Sequence, residues 1–89
     1  MISKNIEIIN KLGLHARASS KLVQLANTFG CNITIAKNDK CANAKSIMSV
    51  MMLAANRGSQ VVISADGIDE EKALNALCTL IASKFGEQE

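Results

Sequence analysis

Gln60-Val61-Val62-Ile63-Ser64-Ala65-Asp66-Gly67-Ile68-Asp69-Glu70-Glu71-Lys72-Ala73-Leu74-Asn75-Ala76-Leu77-Cys78-Thr79-Leu80-Ile81 reads as a strand, a turn and a helix in direct succession. The β-branched run Val61-Val62-Ile63 suits a buried strand over residues 60–65, because branched Cβ atoms pack well on a pleated surface. Asp66-Gly67 turns the chain, and Asp69 stands where a helix N-cap would stand. Leu74, Leu77, Cys78 and Ile81 then recur at the i, i+3, i+4, i+7 spacing, with Phe85 one turn further. That pattern predicts the clearest helix of the chain. A strand leading into an amphipathic helix implies a sheet with one face covered by helices.

The segments on the N-terminal side fit that unit. Lys4 to Ile9 alternates polar and apolar and predicts a strand, followed by a turn at Asn10-Lys11-Leu12-Gly13. From Ala16 the spacing changes, so that Ala18, Leu22, Leu25, Ala26 and Phe29 share one helical face, with Gly30 as the C-cap. Cys31 to Lys37 alternates again around Ile33 and Ile35, and Asn38-Asp39 suits a hairpin turn into a short strand at Lys40 to Asn43. Ser46 to Ala55 predicts a short helix with Val50, Leu53 and Ala54 facing the core, and Asn56-Arg57-Gly58-Ser59 a loop. The order is βαββαβα, which implies an α+β fold: an open-faced two-layer sandwich formed by a single domain over residues 1–89.

Composition narrows the function. The chain is 48% hydrophobic but only 2% aromatic, so the core is expected to be aliphatic. Ten Lys and Arg against eight Asp and Glu leave a net charge of +2. Nucleic-acid binding asks for a strongly basic face and stacking aromatics, which this balance does not offer. It suits a protein whose partners are mildly acidic. The start lacks the features of a signal peptide, and no apolar run approaches the ~20 residues needed to span a bilayer. A cytoplasmic protein with no membrane insertion is expected. Cys31, Cys41 and Cys78 are odd in number and widely spaced, which argues against a disulfide framework or zinc site and for reduced thiols. No metal or cofactor is expected.

The chemistry centres on Gly13-Leu14-His15-Ala16-Arg17, between the first strand and the first helix. His15 is the only histidine. The first turn of a helix carries N–H groups with no intrahelical partner and a partial positive charge, which favour an anion there. An imidazole nitrogen is a competent nucleophile toward phosphorus at neutral pH. The product would sit among the amides of Ala16 and Arg17, with the Arg17 guanidinium clasping the same oxygens. A lone histidine beside a helix is more often a solvated or capping residue than a nucleophile, and spacing alone leaves both readings open.

Gly13-Leu14-His15-Ala16-Arg17-Ala18-Ser19 resembles the active-site signature of the HPr family, the histidine-containing phosphocarriers of the phosphoenolpyruvate-dependent phosphotransferase system. A second motif, Lys45-Ser46-Ile47-Met48-Ser49-Val50-Met51, extends the resemblance, as do length and element order. It implies a four-stranded antiparallel sheet in order 1-4-2-3 with three helices on one face. It also implies that His15 takes a phosphoryl group on its δ nitrogen from phosphorylated enzyme I and passes it to an enzyme IIA. Arg17 would contact that group, and Ser46 would be phosphorylated by an HPr serine kinase/phosphatase where one exists. The chain would thus be a stoichiometric carrier, expected as a monomer, and not itself an enzyme. Ala18 stands where many relatives have proline, and Ser49 where glycine is common; the first keeps an N–H, the second bears on partner preference.

The second helix adds an expectation of its own. Ile47, Met48, Met51 and Met52 spread round its surface, more apolar side chains than its core face holds. Methionine adapts its shape to more than one partner, which suits a carrier that meets a donor and an acceptor in turn. Three other functions compete. A nitrogen-branch regulatory carrier would share the fold. An enzyme acting on a small molecule lacks a second motif-linked catalytic group and room for a closed pocket. A nucleic-acid module conflicts with the charge balance.

Overall fold

The computed structural model describes residues 1–86. Strands β1 (Ile2–Glu7), β2 (Asn32–Lys37), β3 (Lys40–Asn43) and β4 (Gln60–Asp66) form one antiparallel sheet in the order β1-β4-β2-β3. The helices are α1 (Ala16–Ala26), α2 (Ile47–Met52) and α3 (Glu70–Ala82), and a short 3-10 turn at Lys84–Gly86 follows α3. Register decides which side chains face the helices. Ile6 pairs with Val61, Ile2 with Ala65, and Ile63 with Ile35, which in turn pairs with Ala42. Residues in register share a face, so these rows form the covered side. The alternate rows, Ser3–Ser64–Thr34–Asn43 and Asn5–Val62–Ala36–Cys41, form the open side. The result is an open-faced sandwich with its core aliphatic: Ile8, Leu22, Ile33, Ile35, Val50, Val61, Ile63, Leu77 and Ile81 are buried, with Phe85 the only fully buried aromatic.

Element ends differ from their sequence signals for identifiable reasons. β1 stops at Glu7, and Ile8 leaves the ladder to pair with the 58–59 turn, its N–H donating to Ser59 O at 2.9 Å. α1 ends at Ala26, with Asn27 as its cap, not at Gly30. The chain tightens there through i→i−3 bonds from Thr28 N–H to Leu25 O and from Phe29 N–H to Ala26 O. The N–H groups of Gly30 and Cys31 go instead to the Asp69 carboxylate, at 2.9 and 3.0 Å. Asp69 therefore occupies the N-cap position of α3 but makes no side-chain bond to its own helix. The Gly30 N–H, with help from Cys31, holds its carboxyl below the usual carboxylate range.

α2 is shorter than the predicted 46–55 span. It runs over Ile47–Met52, and Leu53 and Ala54 close it with i→i−3 bonds to Val50 O and Met51 O. Ala54 then adopts φ 52°, a left-handed conformation that ends the helix. Val50 and Leu53 enter the core as expected, but Ala54 is turned out to solvent and Ala55 is buried in its place. Phe85 likewise reaches the core by another route. Lys84 and Phe85 both have positive φ, so the chain leaves α3 through a left-handed turn that folds Phe85 inward. Lys21 Nζ donates to Phe85 O at 2.6 Å and ties that turn to α1.

Candidate functional site

The loop before α1 is fixed peptide by peptide. Gly13 N–H donates to Asn10 O at 3.1 Å, and Leu14 N–H donates to Ala55 O at 2.8 Å. Gly13 adopts φ 66°, and a Cβ there would lie 2.5 Å from Ala55 O and 2.8 Å from Asn56 Cα. Only glycine admits both the left-handed backbone and this close approach. Leu14 is buried and anchors the loop. His15 follows with φ −78° and ψ −177°, extended backbone that feeds straight into Ala16.

His15 is the N-cap of α1, its Nδ1 accepting the Arg17 N–H at 3.3 Å. Capping and chemistry therefore coincide in one residue. With Nδ1 accepting, the neutral ring carries its proton on Nε2. The Nδ1 lone pair is thus directed at the amides of the first turn. A contact of 3.3 Å is long for such a bond, so that amide can be given to another acceptor at little cost. His15 is half-buried while Ala16 and Arg17 are exposed. Among the described residues the Arg17 guanidinium has no hydrogen-bond or ion-pair partner. Arg17 belongs to the first turn itself, which brings the cation to the end of the helix that already favours anions.

The second motif builds α2. Ser46 is its N-cap, its Oγ accepting the Ser49 N–H at 3.5 Å. Lys45, beside it, is engaged elsewhere: its Nζ donates to Phe29 O at 2.7 Å, and its carbonyl accepts from Asn27 Nδ2 at 3.3 Å. These bonds tie the start of α2 to the far end of α1, whereas Ala55, just past its other end, meets Leu14. The two helices therefore run in opposite directions. Ser46 therefore lies near the C-terminal end of α1, whereas His15 caps its N-terminal end. Ile47 and Met51 are exposed, and Met48 and Met52 more so, at 67% and 73%. Leu12, 65% exposed and three residues before His15, extends the apolar surface on the site's side. Sequence reading missed Leu12, although an apolar residue between Lys11 and Gly13 of a turn was the available signal.

Reading also missed Asn10 and Ser19, both fully buried. Asn10 Nδ2 donates to Gly13 O at 2.8 Å, and Ser19 Oγ donates to Leu14 O at 3.1 Å. Ser19 sat in view within the α1 motif, a polar residue on the stripe that holds Leu22 and Ala26. Among the described residues no three of His, Cys, Asp and Glu come together as a metal group. No helix among them is long and apolar enough to cross a membrane.

A family model described as the PTS HPr component phosphorylation site matches residues 2–83. With a histidine capping α1 on a 1-4-2-3 sandwich, that match defines the chain as a phosphocarrier of the phosphotransferase system. The chain is 54% identical over 89 residues to the phosphocarrier protein HPr of Cupriavidus necator and 52% identical to that of Neisseria meningitidis serogroup A, covering all of both chains in each case. It is similar to the crystal structure of an HPr from Thermoanaerobacter tengcongensis, with TM-score 0.97 and 49% identity over 100% of each chain. A phosphocarrier protein NPr from Shewanella violacea is 41% identical over 97% of this chain and 94% of that one. The chain belongs to the HPr family.

Proposed function

We propose that His15 accepts a phosphoryl group on Nδ1 from phosphorylated enzyme I, itself charged by phosphoenolpyruvate, and delivers it to a histidine of an enzyme IIA. The observation that carries this reading is the direction of Nδ1, toward the first-turn amides of α1. When the lone pair attacks phosphorus, the Arg17 N–H exchanges Nδ1 for a phosphoryl oxygen, and the Ala16 N–H and Arg17 guanidinium supply further donors. Bond making at Nδ1 accompanies loss of the phosphoryl group from the donor's histidine, so charge is handed over and not created. The groups this chain brings to the relay, His15, Ala16 and Arg17, sit together at one loop–helix junction, and the carrier acts as a monomer in the cytoplasm, where its donor and acceptors meet. Incubation with phosphoenolpyruvate and a matching enzyme I, followed by mass spectrometry, tests the reading: one acid-labile phosphate per chain is expected, and none would refute it. The higher identity to carriers named HPr than to the one named NPr favours service in sugar uptake over a nitrogen-branch regulatory role.

Arg17→Ala is expected to slow transfer about 10-fold or more, the loss of one charge-assisted contact. It should alter phosphohistidine lifetime while leaving the thermal midpoint unchanged, since Arg17 is exposed. Rates that match the wild type in both directions would remove Arg17 from the site.

Docking falls to Leu12 and to Ile47, Met48, Met51 and Met52, whose exposure supports this role. Ser46, held near the end of α1 opposite His15 by the bonds of Lys45 to Phe29 and Asn27, acts on docking when phosphorylated by an HPr serine kinase/phosphatase. A dianion there meets the α2 amides and also competes for Lys45, now bonded to Phe29 O. It also charges a surface that partners must desolvate. Met48→Asp and Ser46→Asp are each expected to raise the KM for uptake from enzyme I about 10-fold with kcat retained. Steady-state transfer and thermal melts check this. A fall in kcat at unchanged KM would place these residues in the chemistry, and unfolding of the Met48 variant would make that residue part of the core.

A further inference from the structure

Among the described residues, Asn10 and Ser19 are the polar side chains that are fully buried, each 0% exposed. Both are spent on the backbone that carries His15. Asn10 Nδ2 donates to Gly13 O at 2.8 Å, and the Leu14 N–H, at the other end of the same peptide unit, donates to Ala55 O at 2.8 Å. That unit is therefore held at both ends. Ser19 Oγ donates to Leu14 O at 3.1 Å, and the Ser19 N–H donates to His15 O at 2.8 Å. One residue thus grips both peptide units that flank the His15 Cα. Rotation about φ of His15 strains the first bond, and rotation about ψ strains the second.

Helix propensity and apolar packing do not call for this arrangement. Ser19 lies on the α1 stripe with Ala18, Leu22 and Ala26, all buried. Alanine there would be the better helix former and would bury no hydroxyl. A buried polar group costs free energy unless paired, so the Ser19 hydroxyl and the Leu14 carbonyl mainly offset the cost of each other's burial. Position is what the two side chains add. His15 lies at the join between loop and helix, and its φ and ψ set the direction of the Cα–Cβ bond from which the ring projects.

We infer that Asn10 and Ser19 are positioning residues that hold His15 at the angle needed for phosphoryl transfer. This rests on the reading of His15 as the acceptor. In-line transfer between two imidazoles tolerates little error, and misplacement by ~1 Å costs on the order of 100-fold in rate. Asn10 holds the peptide two before His15, and the Ser19 hydroxyl holds the one before; the one after is held by the Ser19 amide, as any residue in that turn of α1 would hold it. Neither touches the phosphoryl group.

Ser19→Ala is the main test, with Asn10→Ala as a second variant and Ile33→Val as control. Ile33 pairs with Ala65 at the end of the sheet away from Glu7 and the loop, and its variant lowers stability without reaching the site. Ser19→Ala takes the hydroxyl partner from the buried Leu14 carbonyl and is expected to lower the thermal midpoint as Ile33→Val does, keep the KM for uptake from phosphorylated enzyme I, and lose about 10-fold in kcat. Ile33→Val should lose midpoint and keep kcat. Amide hydrogen exchange at Leu14 and Arg17 should speed up about 10-fold in Ser19→Ala and stay unchanged in Ile33→Val. Unchanged kcat in both site variants overturns the inference even if exchange speeds up, because the two side chains would then be structural only. A raised KM at wild-type kcat overturns it too, since the effect would lie in docking. If the wild-type chain takes no phosphate, the acceptor reading is what fails. The exchange comparison then decides alone whether these side chains hold the loop.

Discussion

His15→Ala is expected to take up no acid-labile phosphate from enzyme I and phosphoenolpyruvate, while melting as a folded domain. The first half follows from chemistry: His15 is the only histidine of the chain, so a phosphohistidine can form at no other position. The second half follows from where the fold is anchored. His15 is half-buried, and its cap to the Arg17 N–H is a long 3.3 Å contact. Loss of an N-cap side chain typically costs about 1 kcal/mol, while Leu14, Ala18 and Leu22 keep α1 anchored in the core. The loop backbone bonds from Leu14 N–H to Ala55 O and from Ser19 N–H to His15 O need no imidazole. Intact-mass measurement with acid treatment reads the first half, and a thermal melt the second. Acid-labile phosphate on the variant would end the assignment of His15.

Gly13→Ala is expected to cost about 3 kcal/mol or more in stability, and transfer with it. A non-glycine residue at φ 66° carries on the order of 1 kcal/mol of backbone strain. The larger part is steric. The new methyl would meet Ala55 O at 2.5 Å and Asn56 Cα at 2.8 Å, both backbone atoms that cannot rotate aside. Relief requires the 55–56 segment to move, which breaks the Leu14 N–H to Ala55 O bond and frees the peptide units leading to His15. The urea midpoint should fall at constant m, and kcat should fall further than stability alone explains. A midpoint equal to wild type would mean that the loop can relax without cost.

The parts of the fold that could be read in sequence were those where periodicity and burial agree. Leu74, Leu77, Cys78 and Ile81 announced α3, and Val61 to Ala65 announced β4, because each has a full face in the core. Strand and helix ends were legible only where local chemistry sets them, as Asn38-Asp39 sets the β2–β3 hairpin, with Asn38 at φ 55°. Elsewhere, tertiary bonds won. Gly30 resembled a C-cap, yet its N–H serves Asp69, a residue distant in sequence. Ala54 resembled a core position until its positive φ turned it outward. At the site, spacing alone leaves His15 open between a cap and a nucleophile, and the expectation for His15 and Arg17 comes from the likeness of residues 13–19 to the HPr signature. Asn10 and Ser19 could not be read, since their partners are backbone carbonyls that no residue pattern displays.

The three cysteines give the protein an unengineered route to site-specific labelling. Cys31 and Cys78 are buried and Cys41 is exposed. Burial first, and the Asp69 carboxylate second, push the Cys31 thiol up, and burial does the same for Cys78. Both therefore hold little of the thiolate that reacts with maleimides. Cys41, on the edge strand β3, borders a shallow cavity with Lys40, Ser49, Met52 and Leu53. A fluorophore coupled to it stands beside α2 on an otherwise native chain. Its emission would report the arrival and departure of each partner in real time, with no mutation in the relay.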